Sequence, residues 1–366
     1  MRFFTVLYMT ISILSCNQIN QSEKITTIEM SNVIHKLKLS EFVEIDSLLK
    51  ITPNGFIRFG GIKKTFILKD DILAHSIAPM TLSLLSYDGK IKSQYIPDYQ
   101  MTEISSVALH NNMIYVSDRE SMEVHIFDNN LEHQRKFSIP FFAQSITMLE
   151  NDIIALYVGN EITENSGRLI FYDLANKRVI SEQLHISENQ RKYFNFLTNY
   201  NFLEIRHQSY FWNSPQNELF KINEDGKISP EYSLDYGDKG VPDDFYEDAK
   251  YDNPYEFVQD TRKKGYSHRH FKAFANEKFI LINYDYGNQF ATTLFSIDES
   301  KSTSFNDIFD DIWATQSMES IELSFFTDLN KEKSFTAFLP FEYLEKSDNA
   351  NLSNGSDFLV FGKLKY

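Results

Sequence analysis

Short apolar runs, each entered through a tight polar turn, recur along most of the chain. Asp70-Asp71 leads into Ile72-Leu73, Asn111-Asn112 into Met113 to Val116, Asn151-Asp152 into Ile153 to Leu156, and Asn276-Glu277 into Lys278 to Ile282. These runs are continuous rather than alternating, which predicts inner strands covered on both faces by neighbouring layers. A second mark follows each run. An apolar strand ends in an aromatic or aliphatic residue, then Asp or Asn, then a polar turn that often contains Lys. Leu82 to Tyr87 leads into Asp88-Gly89-Lys90, Val124 to Phe127 into Asp128-Asn129-Asn130, and Leu169 to Tyr172 into Asp173. Leu219 to Ile222 leads into Asn223 to Lys227, and Leu294 to Ile297 into Asp298 to Lys301. Such turns between strands read as hairpins. No helical period holds for three turns. The acidic stretch Asp243 to Tyr251 is the one candidate for a short helix.

The marked Asp/Asn positions are spaced by 40 (88 to 128), 45 (128 to 173), 50 (173 to 223) and 75 (223 to 298) residues. A period near 40–50 is that of a β-propeller blade. The last interval fits one blade plus an insertion at about 238–270. The expectation is an all-β chain, a six-bladed β-propeller forming a single domain over 25–366. Its blades fall near 61–96, 101–139, 141–186, 193–236, 255–304 and 316–366; the count becomes seven if the first blade begins at residue 25. The segment Ile25 to Leu49 is expected to supply a strand that closes the ring against Phe358-Leu359-Val360-Phe361. A ring closed by both termini leaves no open sheet edge.

Composition changes this picture in three ways. The formal net charge of −15 disfavours phosphate backbones, so nucleic acid is set aside as a partner. The 32 Phe and 20 Tyr favour strands, and only 13 Gly are available for turns, so Asn and Asp must supply the positive φ angles. The single cysteine, Cys16, rules out an intramolecular disulfide. It also ends a signal-like start. Met1-Arg2 precedes an apolar run, Phe3 to Leu14, that is shorter than the roughly 20 residues a spanning helix needs. The run closes in Ile13-Leu14-Ser15-Cys16, which resembles the lipobox of bacterial lipoproteins. Residues 1–15 are therefore expected to be a lipoprotein signal peptide, Cys16 the lipidated residue, and 16–24 a polar tether. The expected address is the cell envelope, with the membrane contacted through the lipid on Cys16 and the chain facing the periplasm or the exterior.

One stretch carries a family resemblance. Asn217-Glu218-Leu219-Phe220-Lys221-Ile222, Gly226-Lys227, then Pro230-Glu231-Tyr232-Ser233-Leu234-Asp235-Tyr236-Gly237 and Val241-Pro242 resemble a line in the six-bladed β-propeller lipoproteins abundant in Bacteroidetes. In those chains a strand ending "IYRI" is followed by a turn and by "P-x-Y-x-x-D-F-G". Phe305-Asn306-Asp307-Ile308 resembles another recurrent piece. Many of those relatives carry a Gly-Pro-Gly-Glu-Tyr-like loop after the first blade; here that place reads Tyr95 to Met101. The family is largely uncharacterised, so the resemblance implies a fold and a location and little chemistry.

Residues for catalysis are sparse. The chain has no Gly-x-Ser-x-Gly, His-Glu-x-x-His, Gly-x-Gly-x-x-Gly or P-loop. With the one cysteine assigned to the lipid, thiol catalysis and thiolate metal sites fall away. His268 and His270 form a His-x-His that would place both rings on one side of a strand, a weak metal candidate without a third ligand. The oxygen-rich tail with Asp348, Asn349, Asn351, Asn354 and Asp357 is a weak Ca²⁺ candidate that lacks the spacing of a known loop. No cofactor is expected, with Ca²⁺ or Zn²⁺ left open. The insertion is the richest segment. Tyr246, Asp248, Tyr251, Tyr255, Arg262 and Tyr266 combine aromatic faces, carboxylates and a cation, a set that suits sugar rings; the alternative is a loop whose aromatics merely cap the rim. Two classes remain. One is a binding or interaction module for a glycan, a peptide or a partner protein. The other is a propeller enzyme, a lyase or hydrolase with a carboxylate/His site, metal-assisted or not, at the channel mouth. The second requires titratable side chains to converge at one mouth.

Overall fold

The computed structural model describes residues 25–34, 36–161, 163–192, 200–213, 217–242, 245, 251–267, 270–313, 326–329, 334–344 and 356–365. Six antiparallel sheets of four blade strands each are arranged in a ring, a six-bladed β-propeller. The innermost strands are Ile62–Ile67, Ser106–His110, Ser145–Met148, Phe202–Ile205, His270–Ala275 and Phe326–Leu329, in blades 1 to 6. The continuous apolar runs of the sequence form the second strand of each blade rather than the channel-lining one. The innermost strands are mixed in character, which is why the pattern did not single them out.

The continuous runs have a simple cause. Side chains alternate across a strand, and here both faces meet a neighbouring blade. Ile72 and Ala74 pack towards blade 6, while Leu73 between them packs towards blade 2. Ile154 and Leu156 face blade 2, while Ala155 and Tyr157 face blade 4. Phe279 and Leu281 join the seam with blade 6, and Ile280 and Ile282 the seam with blade 4. Apolar clusters thus fill all six seams. Trp212 and Trp313 are core residues, 3% and 4% exposed.

The strand-end Asp residues cap the turns that follow them. Asp128 Oδ1 accepts from the backbone N–H groups of Asn130 (2.9 Å) and Glu132 (3.0 Å), and Asp173 Oδ1 accepts from that of Asn176 (2.9 Å). The predicted positive φ angles occur at Asn111, Asn112, Asn151 and Asp152, between 50° and 60°. Gly89 is needed for a different reason. A Cβ there would lie 2.0 Å from the carbonyl oxygen of Lys50, where the N-terminal segment crosses blade 1.

That N-terminal segment does not begin a seventh blade. It runs along the outer rim as a belt. Thr26–Glu29 pairs in parallel with the outer strand of blade 4, and Val33–Ile34 pairs in parallel with that of blade 5. Leu37–Lys38 pairs with Ile308–Phe309, and Val43–Lys50 becomes the outer strand of blade 6. The pairs Phe358↔Lys50, Leu359↔Leu49, Val360↔Leu48 and Phe361↔Ser47 close the ring with the predicted partners. Blade 6 is therefore Phe326–Leu329, Ser334–Leu339 and Phe358–Leu364 completed by the belt. Tyrosine hydroxyls bind the belt further: Tyr284 donates to Met30 O (2.7 Å) and Tyr286 to Ser31 O (2.9 Å).

The long 75-residue interval is resolved as one blade plus an insertion, but the details differ from expectation. Blade 5 begins at His270 rather than near 255, because Pro254–Lys263 is a helix. The short helix expected over Asp243 to Tyr251 falls mostly on residues outside those described. The signals of the observed helix were present: Asn253 caps the backbone N–H of Glu256, Pro254 opens the first turn, and Arg262 and Lys263 occupy the last.

Candidate functional site

The first-to-second-strand turns of blades 1 to 5 face the same mouth of the channel, and there a cavity of about 890 Å³ opens. His110, Glu150, Glu204, Arg206, His207 and Glu277 stand at its mouth, all on or beside those turns. Lys64, Phe66, Tyr200, Phe202 and Asp328 lie within. This volume falls in the range of small-molecule sites, roughly 300–1,000 Å³.

One turn at this mouth is unlike its counterparts. Blades 2 and 3 make it with Asn111-Asn112 and Asn151-Asp152, residues that tolerate a left-handed backbone. Blade 4 makes it with Arg206 (φ 52°) and His207 (φ 62°). Long side chains in this region carry strain, and such strain concentrates at functional positions. Arg206 pairs with Asp298 and donates through Nε to Glu277 O at 3.1 Å. His207 lies 3.4 Å from Glu204 and 4.0 Å from Glu277.

The inner end of the cavity is closed by Tyr200. This residue leads into blade 4, yet its hydroxyl bonds Nδ1 of His75 in blade 1 at 2.5 Å, so the side chain reaches across the channel. Its ring lies edge-on to Phe66, with centroids 6.3 Å apart, and the Lys64 ammonium stands 5.1 Å from the ring centre. Burial, with a smaller effect of Asp328, holds the Tyr200 phenol well above its usual range, so it stays protonated. Burial, reinforced by Lys63, pushes the His75 imidazole down to about 3, so that ring is neutral.

Charged residues enter the channel from blades 5, 6 and 1 through a shared device. The innermost strand of each slips register against its neighbour just before the charged residue: at 62/64 before Lys64, at 270/272 before Lys272 and at 326/328 before Asp328. A bulge of this kind re-aims side chains. Burial raises the Asp328 carboxyl to about 6, against the opposing pull of Lys64. Burial first, then repulsion from Lys272, lowers Lys63 to about 8, against a smaller opposing effect of Glu103. Deeper in the channel, blades 2 to 4 contribute apolar residues to the lining, among them Val107, Ile146 and Leu203, with His110 and Glu204 nearer the mouth.

The insertion emerges at the opposite mouth. It connects the outer strand of blade 4 to the N-terminal end of the inner strand of blade 5, whose other end, at Ala275, lies at the cavity. Its stem is closed by Ser267 N donating to Lys239 O at 2.7 Å. Of the residues singled out by sequence, Tyr251 donates its hydroxyl to Asp260 and packs on Phe245 and Phe257. Tyr266 meets Phe245 edge-on, and Arg262 pairs with the buried Asp285 at 3.2 Å. Tyr255 alone presents an open face, at 72% exposure. Tyr246 and Asp248 lie outside the described residues, as do Cys16, His268, Asp348, Asn349, Asn351 and Asn354. The backbone of His270 opens the inner strand of blade 5. Asp357 is buried in the approach to the last strand, its carbonyl accepting from Ile51 N at 2.9 Å. Among the described residues no group of three or more His, Cys, Asp or Glu is placed to hold a metal ion.

Sequence reasoning did not anticipate Tyr200, Lys63, Lys64, Lys272 or Asp328. Lys63-Lys64 at the head of an apolar strand was a signal, since adjacent lysines on a predicted blade strand need a reason to be there.

The fold and the one-ended cavity define the chain as a six-bladed β-propeller with a ligand-sized recess on its axis. No protein-family model and no curated protein matches it in sequence. Among solved structures it is similar to a presumed exported protein of Bacteroides fragilis, with a TM-score of 0.74 at 13% identity over 94% of this chain and 100% of that one. It is more distantly similar to a member of the DUF4221 family from Bacteroides vulgatus (TM-score 0.48, 10% identity, 90% and 99% covered). Virginiamycin B lyase from Staphylococcus aureus stands at a comparable distance (0.47, 10%, 86% and 98%). At these identities the likeness is one of fold.

Proposed function

We propose that this protein is a lipid-anchored, extracytoplasmic binding module that holds its ligand in the axial cavity. The observation that carries this reading is the cavity itself: about 890 Å³, open at one mouth, closed inside by Tyr200, and rimmed by a strained Arg206-His207 turn. A rigid ring of six packed seams supports the site, so little ordering is lost on binding. The ligand is a glycan, a peptide or a segment of a partner protein, and the exposed Tyr255 at the other mouth is available to a second contact. The location rests on the signal-like start, Cys16 and the likeness to a presumed exported protein. Among the described residues no helix is long and apolar enough to cross a membrane. In this reading the anchor is the lipid on Cys16.

A thermal-shift screen of residues 22–366 with neutral and charged oligosaccharides and short peptides tests the binding reading. A ligand at 100 times its Kd adds about 2.7 kcal/mol and moves the midpoint by a few degrees. Loss of that shift on replacing His207 by Gly places the ligand in the cavity, and a shift that survives moves it elsewhere. Metabolic labelling with a fatty acid tests the anchor: label should enter the full chain and be absent from Cys16→Ser.

A second reading has one observation in its favour. Asp328, at about 6, titrates near neutrality inside the cavity, as a general acid or base would. A lyase or hydrolase of this kind would turn over a bound ligand, with a rate lost in Asp328→Asn.

A further inference from the structure

We infer that the inner end of the channel, around Tyr200 and next to the cavity that Lys64 lines, is an anion-binding site, built from Lys63, Lys64 and Lys272, that takes the carboxylate or phosphate of an organic ligand. This inference rests on the reading of the cavity as a ligand site and names the chemistry of what enters it.

The placement is unusual for this chain. A protein of net charge −15 has brought three ammonium groups from two blades together at its axis. Lys63 and Lys64 sit on the innermost strand of blade 1, and Lys272 on that of blade 5, with blade 6 between them. The charge of Lys272 is felt at Lys63 across that gap. None of the three ammoniums has a carboxylate within 4 Å among the described residues. The two nearest acids do not cancel them. Glu103 is already 3.6 Å from Arg119, and Asp328, ionised above pH 6, is a single carboxylate facing Lys64 without an ion-pair contact to it. Half-buried lysines without a carboxylate in ion-pair range are costly, and proteins normally pair them. Two of the three also have their ammonium pKa lowered by that burial, Lys63 to about 8. An anion would supply the missing charge and relieve that cost.

A further polar group stands beside them. The Tyr200 hydroxyl shares a hydrogen bond with Nδ1 of His75, which leaves Nε2 as the other ring nitrogen. That atom is buried and has no hydrogen-bond partner. His75 is close enough to Lys63 for the ammonium to depress its imidazole.

The rest of the recess suits the organic part of such a ligand. Phe66, Tyr200 and Phe202 offer ring faces and edges, and Lys63 and Lys64 already lie 5.9 and 5.1 Å from the Tyr200 ring centre. A headgroup drawn to the lysines would leave its sugar ring or aliphatic stem against these aromatics. Fixed ammoniums on strands are pre-organised for this, unlike lysines on the surface.

The test uses the soluble chain, residues 22–366, with inorganic phosphate, galacturonate, glucose 6-phosphate and neutral methyl glucoside at matched ionic strength. The expected result is a rise in the unfolding midpoint with phosphate and with either acidic sugar, and none with the neutral one. A larger response to galacturonate assigns a carboxylate ligand, and a larger response to glucose 6-phosphate assigns a phosphate. Lys63→Met and Lys272→Met should each weaken the anion at least about tenfold. Each should also raise the midpoint of the ligand-free protein, because a desolvated charge is removed, so misfolding cannot mimic the result. Binding should fade as pH rises through 8, following loss of the Lys63 proton. Stabilisation by the neutral sugar alone would overturn the anion site while leaving the cavity as a binding site. No response to any anion, or a response that survives both substitutions, overturns it as well.

Discussion

The two mouths of the channel use similar residue types in opposite ways. At the turn-lined mouth, His207 lies loosely between Glu204 and Glu277 while Arg206 pairs with Asp298, on the surface of a cavity. At the other mouth, the tyrosines and charges of the insertion are taken up within the insertion and by Asp285 of blade 5. Phe245, Tyr251, Phe257 and Tyr266 form a miniature core, and Asp260, Lys264, Arg262 and Asp285 are paired around it. A segment excursion from the ring is not sandwiched between two blades; it touches the ring at Ile186 and Asp285 and buries most of its own aromatics on one another. The turns at the first mouth are held by strands on both sides and need no such packing. An acidic-aromatic composition therefore marks a ligand site only where something else already provides the core.

Substitutions can separate the two ends, and the largest effect is expected at the insertion. Phe257→Ala empties a fully buried position and should cost about 3–5 kcal/mol locally, seen as proteolysis and fast amide exchange over 251–267. Binding in the cavity should be unchanged; a loss of both would mean that the two mouths are coupled.

The next effect belongs to the cavity. Asp328 has its carboxyl raised from 3.8 to about 6 in the folded chain. Above pH 6 the folded state carries a desolvated carboxylate at a cost, and that cost is relieved as pH falls from 6 towards 3.8. This group therefore makes stability rise on acidification through that window. Asp328→Asn should raise stability at pH 7.5 by about 2 kcal/mol, after allowance for water in the cavity, and should flatten that window in a denaturant titration. A destabilised variant would show instead that Lys64 outweighs burial.

Smaller again is the turn at the mouth. Replacing Arg206-His207 by Asn-Gly removes the left-handed strain and should stabilise by about 1 kcal/mol in thermal melts, while ligand binding is lost. Unchanged binding would reduce these two residues to a turn. The smallest effect is expected at Tyr255, exposed on the insertion helix: Tyr255→Ala should stay within about 0.5 kcal/mol. A change in ligand affinity without a change in stability would show that the second mouth takes part in binding.

Much of the ring was legible in the chain, and particular residues show why. Blade strands repeat their turn chemistry, and Asp128 and Asp173 cap their own turns, so Asp88, Asp128, Asp173 and Asn223 announce a period whatever surrounds them. The second strands were equally clear, since residues such as Ile72, Leu73 and Ala74 face two seams and all must be apolar. Even ring closure could be read, because Phe358 to Phe361 needed a partner strand and the N-terminal segment was the free one. The insertion helix was missed although Asn253-Pro254 and Glu256 mark its start, because the acidic stretch before it drew attention first.

The site was decided by tertiary structure. Lys63 and Lys64 lie more than 200 residues from Lys272 and Asp328, and nothing local to any of them requires the others. They meet because a six-membered ring places blades 5, 6 and 1 side by side and a bulge in each innermost strand turns one residue inward. Tyr200 becomes the floor only because blade 4 stands across the channel from His75 in blade 1. Local turn chemistry and two-faced burial are properties of short segments, so the sequence alone determines them. The depth of the cavity and the charges within it depend on closure of the ring, which no single segment contains.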